Sequence, residues 1–427
     1  MKAIGIDIGT TSICGVVMDT DSGALIRSVT KNSEAFLCGC APWERIQSVD
    51  RIMSVAMEVL DDLVDSDTAV IGVTGQMHGI VYVNAEGEAV SPLYTWQDER
   101  GNLPYRDTTY AAYLGCASGY GCVTDLYNRE NGLRPQGAVS FCTIHDYFVM
   151  KICSLTSPLI HASDAASFGL YDLRENRLNW DFSPETVKDY RIAGKYRGIP
   201  VSVAIGDNQA SVFSTLADEN ALLLNVGTGS QVSLVSDTPI TAENVETRPY
   251  FDGKYLIVGA ALCGGRAYSL LKDFYAKVLR RVTNIDDGEV YGIMSNMAES
   301  EDARTLSVDT RFAGTRSDPA LRGSITDIGT DNFTPASLTR GVLDGMANEL
   351  YTMYSAMGAR RCGVVGSGNG VRKNPALVRA LEQKFGGKMI FPAHLEEAAV
   401  GAALFGLVAC GRVSGAKEAQ ALIKYNK

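Results

Sequence analysis

The sequence predicts a duplicated α/β fold, in which two domains share one order of strands and helices. Residues 6–12 (IDIGTTS) resemble residues 224–230 (LNVGTGS), which lie 218 positions later. A second pair, 72–76 (GVTGQ) and 365–369 (VGSGN), follows a short apolar run in each half. Motifs that recur in the same order indicate two copies of one structural unit. We therefore predict domains at 1–217 and 218–427.

The first half begins with strands and continues with alternating helices and strands. Apolar runs predict strands over 2–8, 13–18 and 24–30, and residues 9–11 form the turn between the first two. One-sided apolar spacing over 44–64 predicts an amphipathic helix. Further elements are predicted by short apolar runs and helical spacing: strands over 69–74 and 200–205, and a helix over 208–217.

The second half repeats this beginning and then becomes helical. Strands are predicted over 222–226 and 231–235, with a Gly-Thr-Gly turn between them. Thr334-Pro335 and Asn374-Pro375 have the N-cap and first-turn residues of helices, which we extend to Met357 and Phe385. Residues 398–408 are mostly small and predict a closely packed helix, whereas residues 301–331 lack periodicity and predict a loop.

Composition argues against several classes of protein. The net charge is −10, and no run of Lys or Arg exceeds two residues, so we expect neither a nucleic-acid partner nor an anionic membrane surface. No stretch has the length and apolarity of a membrane span, and the N-terminus lacks an apolar signal region, so we expect a cytoplasmic protein. Cys38 and Cys40 lack the further ligands of a structural zinc site.

Two Gly-Thr turns are the strongest candidates for a phosphate site. The chain has no P-loop, no Gly-x-Gly-x-x-Gly and no His-Arg-Asp motif, which argues against three common nucleotide-binding classes. Tight turns of Gly and Thr expose backbone N–H groups and short hydroxyls that can hold phosphate oxygens. The alternative is a pair of ordinary hairpin turns. The residues concerned are Gly9, Thr10, Thr11, Gly227, Thr228 and Gly229.

Two further features suit a nucleotide and its metal. Asp7 precedes the first turn, and a carboxylate there can hold Mg²⁺ through water. Gly366, Ser367 and Asn369 belong to a glycine-rich segment between a strand and a helix, where the backbone can approach a flat ligand such as adenosine. The alternative is a plain strand-to-helix loop.

Asp207 ends an apolar strand, where an unpaired carboxylate is unfavourable. It is either a general base or the N-cap of the helix that follows, and the residues alone leave both open. Polar groups elsewhere in the first half suit a polyol site or a structural role, and both interpretations stay open. These residues are Gln76, Met77, His78, Trp96, Asp98 and Arg100.

Taken together, these motifs resemble those of the FGGY carbohydrate kinases, which have an actin-like (ribonuclease-H-like) ATPase fold of two domains around a central cleft. The resemblance follows the whole chain in order. It is carried by Gly5–Ser12, Gly75–Gly79, Trp96–Arg100, Gly206–Ala210, Asn225–Ser230, Gly314–Arg316 with Arg322-Gly323, and Gly366–Asn369.

The resemblance implies an ATP- and Mg²⁺-dependent kinase, with sugar and base in the first domain and ATP in the second. Asp207 would be the catalytic base and Asp7 would lie near Mg²⁺. The phosphate group of residues comprises Gly9, Thr10, Thr11, Gly227, Thr228 and Gly229. The adenosine group comprises Gly366, Ser367 and Asn369, and the sugar group comprises Gln76, Met77, His78, Asp98, Arg100 and Asn208.

The substrate implied by the resemblance is the primary hydroxyl of a ketose. Gln76-Met77-His78-Gly79 is similar to the motif of family members that act on ketoses, so we expect sedoheptulose first, and xylulose or another pentulose or polyol second. Thr315 departs from the Glu common in relatives, and its role is open, as is that of residues 143–147. We expect a monomer or homodimer.

Two other functions were weighed. A chaperone-type ATPase needs a peptide-binding domain, and the motifs leave no stretch for one. A sugar sensor without turnover predicts the loss of Asp7 or Asp207, and both are present.

Overall fold

The structure is a computed structural model that describes residues 1–38, 41–182, 184–300, 306–315, 318, 320–358 and 363–426. The α-helices of these ranges are α1 (Val49–Leu63), α2 (Tyr110–Leu114), α3 (Gly121–Glu130), α4 (Ile144–Ile152), α5 (Ala162–Ser167), α6 (Asp207–Thr215), α7 (Gly264–Leu279), α8 (Asp287–Ala298), α9 (Pro335–Ala356), α10 (Asn369–Arg372), α11 (Pro375–Phe385), α12 (Glu397–Ala409) and α13 (Ala416–Gln420). The strands are β1 (Lys2–Ile8), β2 (Ser12–Asp19), β3 (Leu25–Asn32), β4 (Ile46–Gln47), β5 (Thr68–Gly75), β6 (Val81–Asn84), β7 (Leu93–Tyr94), β8 (Pro104–Tyr105), β9 (Thr108–Thr109), β10 (Ala138–Cys142), β11 (Leu159–His161), β12 (Tyr171–Asp172), β13 (Arg177–Leu178), β14 (Glu185–Val187), β15 (Ile192–Tyr196), β16 (Ile199–Ser202), β17 (Ile205–Gly206), β18 (Leu222–Val226), β19 (Ser230–Ser236), β20 (Val245–Pro249), β21 (Tyr255–Ala261), β22 (Ser307–Asp309), β23 (Ser324–Thr326), β24 (Val364–Ser367) and β25 (Met389–Ile390).

The chain forms two compact units. Unit 1 comprises Met1–Ala217, Arg248–Lys254 and His394–Lys424, and unit 2 comprises Asp218–Thr247, Tyr255–Ala393 and Tyr425–Lys427. Unit 1 therefore contains a C-terminal segment that the sequence assigned to the second domain. The reason is α12, which packs on strands β1 and β5 of unit 1.

The main sheet of unit 1 has the order β15-β16-β5-β1-β2-β3, with β17 beside the end of β5. Strand β1 runs antiparallel to β2 and parallel to β5, so that Asp7 lies opposite Cys14 on one side and Thr74 on the other. Gly206 of β17 lies opposite Gly75 of β5. Strands β1, β5 and β17 therefore end at one edge of the sheet. Asp7 is the second-last residue of β1, and Gln76 and Asp207 directly follow β5 and β17.

The two faces of β1 have different neighbours because side chains alternate along a strand. Ile4, Ile6 and Ile8 belong to the core that includes the buried face of α1. On the other face, a Cβ on Gly5 would lie 1.8 Å from the Ala399 carbonyl oxygen of α12. The glycine at position 5 is therefore what lets the helix backbone rest on the strand.

The predicted elements of unit 1 are confirmed with two corrections. Helix α1 begins at Val49 and not at Glu44, because Ile46 and Gln47 pair with β7 and Ser48 caps the helix. The strand predicted over 200–205 is split into β16 and β17. The helix predicted over 208–217 is α6, which begins one residue earlier, at Asp207.

Unit 2 repeats the arrangement at the start of unit 1. Its sheet has the order β20-β21-β19-β18-β24-β25. Strand β18 runs antiparallel to β19 and parallel to β24, as β1 does with β2 and β5. Asn225 lies opposite Ser367, just as Asp7 lies opposite Thr74. The predicted duplication of strand pairing is thus confirmed.

The helices predicted for the second half are confirmed within one residue at their starts. Thr334 and Asn374 each accept a backbone N–H bond as N-caps, and proline follows each of them. The predicted loop over 301–331 contains the hairpin of β22 and β23. Arg316 of the Gly314–Arg316 motif and Cys40 lie outside the described residues. Within the described ranges, no helix has the length and apolar character needed to span a membrane.

Candidate active site

Asp7 is a partly buried carboxylate near the end of β1, and one of its oxygens has no hydrogen-bond partner within the described part of the chain. Its Oδ1 atom is inaccessible to solvent and accepts no hydrogen bond from the described residues. Burial, together with the negative charges of Asp207 and Glu396, raises the pKa of Asp7 to about 7. A group of three neighbouring acids with an unpartnered buried oxygen has the donor chemistry that a hard cation such as Mg²⁺ prefers.

Asp207 is the first residue of α6, and Gly206 is the N-cap. The alternative in which Asp207 caps this helix therefore does not hold. Burial raises the pKa of the Asp207 carboxyl, while the nearby His145 and Arg248 and the N–H group of Asn208 oppose that shift. The carboxylate is thus close to both Asp7 and a cation at the edge of the sheet.

Glu396 was missed in the sequence because its place depends on packing between distant segments. It is the N-cap residue of α12, and its charge raises the pKa values of both Asp7 and Cys14. A Cβ on Gly72 would lie 1.8 Å from the Ala402 carbonyl oxygen, so α12 lies directly on β5 as it does on β1. An acid just before a helix of small residues was the available signal.

A closed ring of hydrogen bonds fixes the first Gly-Thr turn. Thr10 Oγ1 donates to Gln76 Oε1 (3.3 Å), Gln76 Nε2 donates to Gln47 Oε1 (3.0 Å), and Gln47 Nε2 donates to the Thr10 carbonyl (2.7 Å). Trp96 Nε1 also donates to Thr10 Oγ1 (3.0 Å). Gln76 therefore holds the turn in place. Gln47, fully buried, is a second residue that the sequence did not reveal.

The turn itself is tight and partly open to solvent. A Cβ on Gly9 would lie 2.9 Å from the Ser12 carbonyl oxygen, which explains the glycine there. Thr11 is exposed, and its carbonyl accepts the N–H of Ser33 (2.9 Å).

His78 has a left-handed backbone with φ of +74°, which side chains other than glycine rarely adopt. Its N–H donates to Ser167 Oγ (3.0 Å), and its ring Nδ1 lies 2.7 Å from the Ser167 carbonyl oxygen. Because a carbonyl only accepts, Nδ1 carries a proton, and in the neutral ring Nε2 carries the lone pair. The ring is stacked on Tyr120 at a centroid distance of 4.4 Å.

Met77 and Asn208 lie beside the end of β17. A Cβ on Gly206 would lie 2.7 Å from Met77 Sδ, so the thioether packs against the backbone that precedes Asp207. Asn208 Oδ1 accepts a hydrogen bond from Arg248 Nη1 (3.4 Å).

Asp98 and Arg100 were expected to contact the sugar, and the structure shows them bonded to each other inside unit 1. Arg100 Nε and Nη2 donate to the two carboxylate oxygens of Asp98 at 2.7 and 3.1 Å, and the Arg45 N–H donates to Asp98 at 3.0 Å. The guanidinium lies 4.3 Å from the centroid of the Tyr94 ring, and both residues are buried. This network holds the chain segment that contains Trp96. A contact between the sugar and Asp98 or Arg100 stays a prediction.

Residues 143–147 form the start of α4. Thr143 and Asp146 make a capping box, and the Tyr147 hydroxyl accepts the Ala89 N–H (3.1 Å). His145 lies between these positions, is fully buried, and bonds through Nε2 to Asp164 Oδ1 (3.0 Å). Burial keeps the pKa of His145 below its usual range. The segment therefore places a neutral imidazole near Asp207.

In unit 2, the second Gly-Thr turn lines a pocket of about 910 Å³. A Cβ on Gly227 would meet nothing within 4 Å, whereas one on Gly265 would lie 2.3 Å from the Gly227 carbonyl oxygen. The pocket thus lies beside the second Gly-Thr turn and the start of α7. Its lining comprises Gly227, Thr228, Gly265, Arg266, Tyr268, Ser269, Tyr291, Ser295, Met346, Gly368, Asn369, Gly370, Lys373, Asn374 and Leu377.

The predicted adenosine segment lies partly along this pocket and partly inside β24. Asn369 lines the pocket, but Gly366 and Ser367 lie inside β24 and do not. Ser367 is buried and accepts a hydrogen bond from Asn225 Nδ2 (2.7 Å). The strand ends at Ser367, and Gly368, with φ of +81°, makes the turn.

Two cations of the pocket were not singled out from the sequence. Arg266 and Lys373 both line it, and they are charges that suit phosphate groups. Gly229 does not line the pocket, and its carbonyl accepts the Gly227 N–H (2.9 Å). Thr315 closes a separate turn through mutual bonds with Asp318 at 2.9 Å.

The duplicated sheets with paired turns define an actin-like ATPase fold. Solved structures share it over nearly the whole chain. A xylulose kinase from Lactobacillus acidophilus has a TM-score of 0.84 at 17% identity, with 100% of this chain and 93% of that one covered. A gluconate kinase from the same organism has a TM-score of 0.85 at 17% identity, covering 100% and 92%.

Residues 2–105 match the N-terminal domain model, and residues 222–410 the C-terminal domain model, of the FGGY family of carbohydrate kinases. The chain belongs to this family and is a sugar kinase. Among curated proteins, it is 29% identical to the sedoheptulokinase of Mus musculus, with 94% of this chain and 96% of that one covered.

Proposed function

We propose that this kinase transfers the γ-phosphoryl group of ATP to a primary hydroxyl of a ketose, with sedoheptulose as the preferred substrate and xylulose as the second candidate. The observation that carries the proposal is the pair of partly buried carboxylates, Asp7 and Asp207, at one edge of the unit 1 sheet, which interact electrostatically. The likeness to a sedoheptulokinase over most of both chains supports the order of substrates.

Asp207 is the proposed general base. It orients the attacking hydroxyl and takes its proton as the bond to phosphorus forms. A base works best when its pKa lies near the working pH, and burial moves the pKa of Asp207 in that direction. His145 and Arg248 oppose that rise in pKa and so favour the ionised carboxylate.

Asp7 and Glu396 are the proposed residues for Mg²⁺. Their paired charges and the unpartnered Asp7 oxygen fit a cation that retains several water ligands. When bound, Mg²⁺ neutralises charge on the phosphates of ATP.

The pocket of unit 2 is the proposed site of ATP. Gly227 and Thr228 would face the phosphates together with Arg266 and Lys373, while the apolar residues near Tyr268 would face adenine. Phosphoryl transfer depends mainly on positioning and charge stabilisation, which this set of turn and cations supplies.

The sugar is proposed to bind next to His78. With its Nδ1 proton directed to Ser167, the imidazole can accept a hydrogen bond from a hydroxyl through Nε2. Asn208 adds a carboxamide, and Trp96, which is about half exposed, offers the apolar wall common in sugar sites.

A panel of acceptors tests the proposal. Sedoheptulose, xylulose, ribulose, fructose, gluconate and glycerol are compared by ADP release, with the sugar phosphate measured as the second product. We expect the highest kcat/KM for sedoheptulose and one sugar phosphate per ADP. A higher kcat/KM for xylulose would make xylulose the preferred substrate in place of sedoheptulose. A preference for glycerol or gluconate would refute a ketose substrate.

A further inference from the structure

Through two serines, helix α5 contacts the proposed sugar-binding residue and the residue that precedes the proposed base. Its sequence, ASDAAS, places Ser163 near the start and Ser167 at the end, and both side chains are buried. Each serine hydroxyl accepts one backbone N–H bond of 3.0 Å from a residue outside the helix.

The first of these bonds fixes the backbone before Asp207. The Gly206 N–H donates to Ser163 Oγ (3.0 Å), and Ser163 Oγ lies 2.8 Å from His161 Nδ1. The Met77 thioether also packs against Gly206, with its Sδ 2.7 Å from where a Cβ at that position would lie. Ser163 therefore determines where the peptide leading into Asp207 lies.

The second bond fixes His78. Ser167 accepts the His78 N–H through Oγ and the ring Nδ1–H through its carbonyl oxygen (2.7 Å). A left-handed backbone at a residue other than glycine is strained and persists only where neighbours hold it. Ser167 supplies both the backbone and the ring contacts that hold His78 at φ of +74°.

The middle of α5 is anchored under the same edge of the sheet. Asp164 bonds to His145 at 3.0 Å, and both side chains are fully buried. His145 Nδ1 would be 2.9 Å from a Cβ on Gly75, the residue that lies opposite Gly206. Helix α5 is thus held at three points. Asp164 bonds to His145, Ser163 accepts the Gly206 N–H, and Ser167 accepts the His78 N–H.

We propose that α5 is a positioning element that sets the separation between His78 and Asp207, with Ser163 acting on the base and Ser167 acting on the sugar-binding residue. The inference rests on the proposed function, because it assigns the base and the sugar contact to these two residues. Neither serine is proposed to touch the sugar.

The test compares Ser163→Ala with Ser167→Ala, which delete the same atom from the same helix. Ser91→Ala is the matched control, because Ser91 Oγ also accepts a backbone N–H bond of 3.0 Å, from Tyr82. Misplacement of a reacting group by about 1 Å can cost about 10²-fold in rate. We expect Ser163→Ala to lower kcat about 10- to 100-fold with the sugar KM within about threefold.

For Ser167→Ala we expect the effect to fall on binding and not on turnover. The sugar KM should rise about tenfold, because the His78 N–H loses its hydrogen bond, and kcat should stay within about threefold of wild type. Ser91→Ala should change neither constant. Thermal melts show that each variant is folded, and Ser163→Cys, which retains a weak acceptor, replaces Ser163→Ala if that variant is insoluble.

Equal changes in both constants for both α5 variants, or no change relative to Ser91→Ala, would overturn the inference. With an active wild type, that result refutes the positioning role alone. A wild type that phosphorylates no sugar refutes the proposed function and this inference with it.

Discussion

Replacing Asp207 with asparagine separates its chemistry from its place in the fold. Asparagine retains the size of the side chain and an oxygen that can accept the Asn208 N–H, and it removes the charge and the proton acceptor. Gly206 is the N-cap of α6, so the change removes no capping bond of this helix. The structure therefore predicts a loss of turnover without a loss of folding.

The expected magnitudes follow from these contacts. General bases contribute about 10²- to 10⁴-fold to rate, which corresponds to about 3–5 kcal/mol of activation free energy. The free energy of unfolding should stay within about 1 kcal/mol of the wild-type value, because the substitution removes a partly buried charge but no hydrogen bond. The KM for sugar should change little, because the amide can still bond to a hydroxyl.

The assay is ADP release with the best sugar, combined with thermal unfolding. Asp287→Asn is the control, because Asp287 is likewise the first residue of a helix, α8, but forms ion pairs with Lys272 and Arg280 on the surface. That variant should keep wild-type turnover and lose at most about 1 kcal/mol of stability. Turnover of Asp207→Asn within threefold of wild type would refute the assignment of the base.

Three further predictions concern the glycines and Asp7. Gly227→Val should raise the KM for ATP at least about tenfold while the melting temperature stays unchanged, because its Cβ enters the pocket and meets no protein atom within 4 Å; an unchanged KM would make the turn merely structural. Gly5→Ala should destabilise unit 1 severely in thermal melts, because its Cβ would lie 1.8 Å from the Ala399 carbonyl oxygen, whereas Gly227→Ala should not; equal melting temperatures would contradict the close contact. Without Mg²⁺, wild-type stability should fall as pH rises from the ordinary Asp pKa of 3.8 to the Asp7 pKa of about 7 and level off above it, because over this range the folded state holds a proton that the unfolded state has lost. The stability advantage of Asp7→Asn over wild type should therefore be larger at pH 8 than at pH 5; the same difference at both pH values would argue against the shift.

The parts of the fold that depend on local pattern were predictable from sequence. Strand β1 and helices α9 and α11 have the predicted bounds to within one residue, because apolar runs, prolines and N-caps act locally. The start of α1 was not predictable, because Ile46 fits the helical spacing but its backbone pairs with β7. The place of α12 on unit 1 depends on glycines almost 400 residues earlier in the chain.

The candidate site was predictable where a motif marks a turn and not where packing brings distant groups together. Asp7 lies two residues before the glycine that follows β1, and Asp207 directly follows the glycine that ends β17, so their positions at the sheet edge could be inferred. Glu396, Gln47 and Arg266 carry no local signal of this kind, and they meet the site through contacts that span many residues. Asp98 and Arg100 form a buried ion pair that their motif did not reveal, and a sugar contact by either of them stays a prediction.

The central claim is that ATP is used only when a sugar accepts the phosphoryl group, and the ratio of ADP release with and without sugar measures this directly. Water must be excluded from the reacting phosphate for a kinase to avoid wasting ATP. With sedoheptulose at saturation, we predict a sugar-free rate of at most about 5% of the sugar-dependent rate, and near-zero turnover of both kinds in Asp207→Asn. Equal rates with and without every sugar of the panel would contradict the account.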